Sequence, residues 1–174
     1  MTKGEIIKKL EQNYSLFGNF IDSLNEEDYV LAPGGKWNAG QQLDHLTRAV
    51  APLSSGLRLP KFLVKTLFGK SNRPSRSYEE LVAKYNLKLE NGGRARGRFI
   101  PKQIKFYNKK RSIARLNRKV KQLEKNIKGY TENQLDIFIL PHPLLGKLTM
   151  REMMYFTIYH AEHHHKQAVR NAGK

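Results

Sequence analysis

The chain contains no cysteine. That excludes a disulfide framework, a thiolate nucleophile and any sulfur ligand, so a metal site here must be built from nitrogen and oxygen donors. Acidic residues are scarce as well: 15 Asp and Glu against 32 Lys and Arg give a net charge of +17 over 174 residues. Nor does any run approach the roughly 20 apolar residues that a membrane-spanning helix needs. The N-terminal Met1 to Leu10 stretch lacks the continuous apolar core of a signal peptide. These absences lead to the expectation of a soluble, cytoplasmic protein, and the length suits one domain, residues 1–174, with a core large enough to need no staple.

The positive charge is regional. Between Asn91 and Leu123 there is no acidic residue, while Arg94, Arg96, Arg98, Lys102, Lys105, Lys109, Lys110, Arg111, Arg115, Arg118, Lys119 and Lys121 supply twelve charges, leaving +5 for the rest of the chain. Such a stretch either forms a solvated face or steers phosphates, nucleic acid or other anions to the surface.

Apolar periodicity divides the chain. Ile6, Leu10, Phe17, Ile21 and Leu24 recur at helical spacing and predict an amphipathic helix over residues 3–24. A second helix follows Trp37, capped by Asn38 with Gln41 reaching back, and continues through Leu43, Leu46, Val50, Leu53 and Leu57, with Pro52 marking a kink or an early end. Residues 60–101 read as a long irregular connection holding two short helices, Phe62 to Phe68 and Tyr78 to Leu89. A third long helix spans about Gln103 to Ile127 on a seam of Ile113, Leu116, Val120, Leu123 and Ile127. Residues 139–148, with Pro141 and Pro143, read as a loop, and Thr149 and Glu152 form a capping box opening the last helix. The predicted fold is all-α: a four-helix bundle with a long crossover between helices 2 and 3 that contains short extra helices.

Four of the six histidines, His160, His163, His164 and His165, fall in the last helix. His160 and His164 lie at i and i+4, which brings their Cβ atoms to about 5–6 Å on one face, a spacing at which two imidazoles share a metal ion. His45 borders the buried face of the second helix, about 40° from Ala49 and 80° from Leu53 at 100° per residue. His45, His160 and His164 therefore form the candidate metal triad. Three neutral nitrogen ligands leave a position open, the arrangement of a catalytic site rather than a closed structural one, where a bound water or a cosubstrate thiol can be activated. His163 and His165 point about 100° to either side of His164 and are assigned to supporting or surface roles. Gln167 is placed to hydrogen-bond a ligand imidazole or the metal-bound water. His142, between two prolines, is left outside the triad as a structural or pocket-mouth residue.

Three segments, Trp37-Asn38-Ala39-Gly40-Gln41-Gln42-Leu43-Asp44-His45-Leu46, His142 to Thr149, and Tyr159 to Gln167, together resemble the DinB-like superfamily in order and spacing. The resemblance implies a metal-binding four-helix bundle, often a homodimer, with zinc or nickel or another divalent ion held at the positions of His45, His160 and His164. It implies relatives that are metal-dependent thiol S-transferases using low-molecular-weight thiols such as bacillithiol or mycothiol, or isomerases acting on thiol adducts. The open metal position, which can activate a thiol or a water, leads to the expectation of a thiol S-transferase or hydrolase type acting on a small-molecule substrate. The basic 94–121 segment departs from the family pattern. It motivates the alternative of a nucleic-acid or anionic-surface binding module, beside that of a non-catalytic small-molecule-binding member.

Overall fold

The structure, a computed structural model, describes residues 1–174. Its elements are α1 (Lys3–Ser23), α2 (Glu26–Val30), α3 (Ala39–Gly56), α4 (Lys61–Phe68), α5 (Tyr78–Glu90), α6 (Lys109–Lys128), α7 (Glu132–Ile137), a hairpin of β1 (Ile139–His142) and β2 (Gly146–Thr149), and α8 (Met150–Asn171). The four long helices α1, α3, α6 and α8 make the bundle. α6 packs against α1 and α3, and α8 closes the other side against the same two helices. Their apolar stripes meet in one core that includes Ile6, Leu10, Phe17, Leu43, Leu46, Leu116, Leu123 and Met154. Amphipathic helices of this kind are stable because each buries its stripe against the others.

The predicted all-α bundle is present, with α4 and α5 in the crossover between α3 and α6. The caps sit where the sequence placed them: Asn38 with Gln41 opens α3, and Thr149 with Glu152 opens α8. Three features differ from expectation. Pro52 lies within α3, which continues to Gly56. α6 starts at Lys109 rather than near Gln103, because residues 102–105 run extended along α3, where the Lys102 amide donates to the Asp44 carboxylate at 2.6 Å. Residues 139–149 form a two-stranded hairpin instead of an irregular loop, pairing Leu140 with Leu148 and Pro141 with Lys147. Proline is tolerated because the hairpin is all edge, and Gly146 supplies the positive φ of 77° at the turn.

An ion-pair cluster around one buried carboxylate fastens the crossover to the bundle. Glu152, fully buried at the third position of α8, accepts from Arg73 Nη1 and Nη2 at 2.6 and 2.8 Å and from the backbone amides of Arg76 and Thr149 at 2.8 and 2.9 Å. Burial alone raises a carboxyl pKa. Here the Arg73 guanidinium and the two amides outweigh it and hold Glu152 below its ordinary range. No helix is long and apolar enough to cross a membrane.

Candidate metal centre

α3 and α8 carry the histidines to one point in the bundle. His45, His160 and His164 are all buried, and one ring nitrogen from each lies within 4.8 Å of the others. The Nε2 atom of His160 is 3.1 Å from Nε2 of His45 and 2.9 Å from Nε2 of His164. Trp37, just before the α3 cap, covers the cluster: its ring lies 4.9 Å from that of His45 and stacks on His164 at 6.1 Å. Phe156 stacks on His160 from the other side at 4.7 Å.

Backbone and side-chain acceptors fix the tautomers. His45 Nδ1 sits 2.7 Å from the Phe99 carbonyl, which can only accept, so Nδ1 carries the proton and Nε2 the lone pair. The Gln42 amide donates Nε2–H to the Trp37 carbonyl and to Gln167 Oε1, which turns its own oxygen to Nδ1 of His164. His164 Nε2 is thereby also a bare lone pair. Three nitrogens thus converge with at most one proton among them, on His160, and that proton can satisfy only one neighbour. A cation at this point would resolve the remaining repulsion. Two nitrogens about 2.05 Å from one tetrahedral ion stand about 3.3 Å apart, so the observed separations need to open by only a few tenths of an ångström. The residues present fit a divalent ion.

Burial pushes the pKa of all three imidazoles down, and that of His160 and His164, where the neighbouring imidazoles add to it, well below the ordinary histidine value. All three are therefore neutral, the form that ligates metal, at physiological pH.

The other sequence candidates surround this point. Gln167 Nε2 donates to His163 Nε2 at 2.7 Å and its Oε1 accepts from Gln42, so its link to the triad runs through Gln42. His163 packs edge-on to Tyr85, and His165 lies 5.4 Å from Phe20. His142 sits at the hairpin turn, where Nδ1 accepts from the Leu144 and Leu145 amides and the ring packs on Phe156 at 4.2 Å. Burial, with the nearby Lys84 charge, lowers its pKa to about 4. Sequence reasoning missed Gln42, the Phe99 carbonyl and the contact role of Trp37. Gln42 had a signal, being a polar residue on the same side of α3 as His45; a backbone acceptor 54 residues away had none.

His45 and His160 open onto a cavity of about 730 Å³, whose walls also include Leu53, Phe68, Leu140, Met153 and Arg98. A family model described as the DinB superfamily matches residues 9–168, which contain every residue of this site. The chain belongs to the DinB superfamily. No curated protein and no solved structure matches it. Within this DinB-superfamily chain the buried three-histidine group and the cavity it opens onto form the candidate site.

Proposed function

We propose that the protein is a divalent-metal-dependent enzyme of the thiol S-transferase or hydrolase type, acting on a small molecule in the cavity. The observation that carries this reading is the convergence of three Nε2 atoms, two of them held as bare lone pairs, at the wall of that cavity. His45, His160 and His164 would hold the ion, zinc or nickel in keeping with the nitrogen donors. Once bound, it would act as a Lewis acid and lower the pKa of a water or thiol brought to the open position. The chain's own residues do the rest. Phe99 and Gln42 hold the ligand imidazoles in the required tautomers, as outer partners of metal-bound histidines do. Trp37 and Phe156 shield the cluster from solvent, and the apolar cavity walls keep bulk water from the reacting centre. With no cysteine in the chain, a reacting thiol comes from a low-molecular-weight cosubstrate. The protein works, on this reading, as one domain in the cytoplasm, alone or as a homodimer.

The test is the metal content of untagged protein beside a His45→Ala variant, followed by assay of thiols with electrophiles. Near-stoichiometric metal that falls in the variant supports the reading. Protein that stays metal-free after incubation with zinc and nickel refutes it.

A second reading is favoured by one surface. On α6, Lys110, Arg111, Arg115, Arg118 and Lys121 are exposed and Glu124 is the helix's only acid, a face suited to an anionic surface or nucleic acid. Affinity for DNA or RNA that falls steeply with salt, and falls again when these residues are replaced, would support it. Lys109 does not belong to that face: it is buried and caps the end of α1 through the Asp22 and Leu24 carbonyls, both at 2.7 Å.

A further inference from the structure

The cavity is long, apolar and framed by charge of one sign. From His45 its wall follows α3 through Ala49 and Leu53 to Leu57, twelve residues or about 18 Å at 1.5 Å per residue. From His160 it follows α8 back through Phe156 to Met153, and the hairpin closes it at Leu140 and Leu144. Not one carboxylate lines it. The only charged residues in its wall are Arg94, Arg96 and Arg98, all exposed and none in an ion pair.

The backbone that carries Arg98 is held in place, and the Arg94 guanidinium donates through Nη1 to the Gly93 and Leu89 carbonyls at 2.8 and 3.3 Å. Arg48 Nη1 donates to the Arg98 carbonyl at 3.1 Å, His45 donates to the next carbonyl, and Asp44 takes the Lys102 amide. One turn of α3, Asp44 to Arg48, thus fixes both a ligand imidazole and the arginine-bearing segment above it. Gly93 permits the approach of that segment to the hairpin, because a Cβ there would lie 2.5 Å from the Lys88 carbonyl and 2.9 Å from Leu144. Low-dielectric walls strengthen the pull of such guanidinium groups on an anion, and pockets of this size gain affinity from apolar area and orientation from a few charges.

We propose that the cavity binds an amphiphilic anion, a molecule with a carboxylate or phosphate headgroup and an apolar body up to about 18 Å long. The headgroup sits against Arg94, Arg96 and Arg98, and the body lies between α3, α8 and the hairpin. A short polar anion would leave the apolar walls wet, and a neutral apolar molecule would leave the arginines unused. The inference rests on the metal-centre reading for the placement of the reacting end beside His45 and His160; the binding itself needs no metal.

The test is calorimetric titration of the full chain, with and without zinc, using octanoate, octanol and acetate as probes. Octanoate is expected to bind, octanol to bind roughly tenfold or more weakly for want of a charge-assisted hydrogen bond, and acetate not to bind. The exposed triple variant Arg94→Gln, Arg96→Gln, Arg98→Gln should reduce octanoate to the affinity of octanol. Octanoate and octanol binding alike, acetate binding like octanoate, an unaffected triple variant, or no octanoate binding would each overturn the proposal. Metal content measured on the same samples separates the two readings. Octanoate binding to protein that takes up no metal sustains this inference and refutes the metal centre, whereas metal-loaded protein that ignores octanoate does the reverse.

Discussion

Gln42 offers the sharpest probe of the proposed metal centre, because it touches a candidate ligand, His164, without being one. Its side chain is 1% exposed, and its oxygen receives the Nδ1 proton of His164 while its nitrogen holds Gln167 and the Trp37 carbonyl. Gln42→Leu keeps the volume but removes the acceptor, so His164 is free to place its proton on Nε2, the atom that must be bare to ligate. Outer partners of this kind are worth about 10–100-fold in metal affinity, or roughly 1.4–2.7 kcal/mol. Gln42→Glu retains an acceptor at the same atom and should hold affinity near that of the parent, with Gln167 turning its amide to donate. Competition with a chelating dye measures both, and thermal unfolding of the metal-free proteins checks that folding is intact. Unchanged affinity in Gln42→Leu, or equal losses in the leucine and glutamate variants, would refute the tautomer argument and reduce Gln42 to a packing residue.

Glu152→Gln should destabilise the fold by about 3 kcal/mol, the low end for a broken buried pair because Arg73 is partly exposed and can rehydrate; Glu162→Gln, whose partner Lys166 is exposed, should change stability by less than about 0.5 kcal/mol in the same thermal melts. Gly40→Ala should cost roughly 1–2 kcal/mol in denaturant unfolding: a Cβ there meets the Ile104 carbonyl at 2.8 Å and Tyr29 Oη at 2.7 Å, a clash that outweighs the roughly 1 kcal/mol alanine gains in helix propensity. His142, with its folded pKa lowered to about 4, takes a proton in the unfolded chain between pH 6.5 and 4 but not in the native one, so it costs stability as pH falls through that window. His142→Asn, which keeps a turn acceptor but cannot titrate, should therefore reduce proton uptake on unfolding in that range by about one; an unchanged slope of metal-free stability against pH would refute the assignment.

The helices were legible because each needed only local information. Ile6 to Leu24 and Ile113 to Ile127 announce their buried faces by spacing, and Asn38 and Thr149 announce where helices begin. The histidine triad was legible for the same reason on α8, where i and i+4 share a face, and by position at the stripe edge on α3. The hairpin was not, since two prolines in ten residues suppress the strand signal and its strands have only each other as partners. The late start of α6 was hidden as well: the Asp44 carboxylate that holds Lys102 in an extended run lies 58 residues away. For the same reason the basic segment read as one block, whereas the fold divides it into an arginine roof over the cavity, one buried lysine that caps α1, and an exposed helical face.

That division bears on the chemistry. Three imidazoles are neutral ligands, and no carboxylate stands among the cavity walls to balance an ion held by them. A divalent ion at His45, His160 and His164 would keep its full charge, in a protein already at +17 and beneath three arginines that no carboxylate neutralises. Each of these charges favours an anion over a neutral molecule at the open position and in the cavity beside it. The same field would lower the pKa of a thiol or water brought there, so that, on the proposed reading, activation of the nucleophile and attraction of an anionic substrate would have a common electrostatic origin. Replacing Arg98 alone should therefore weaken both at once, and an activity whose pH profile stays fixed while substrate affinity falls would show that the two are separate.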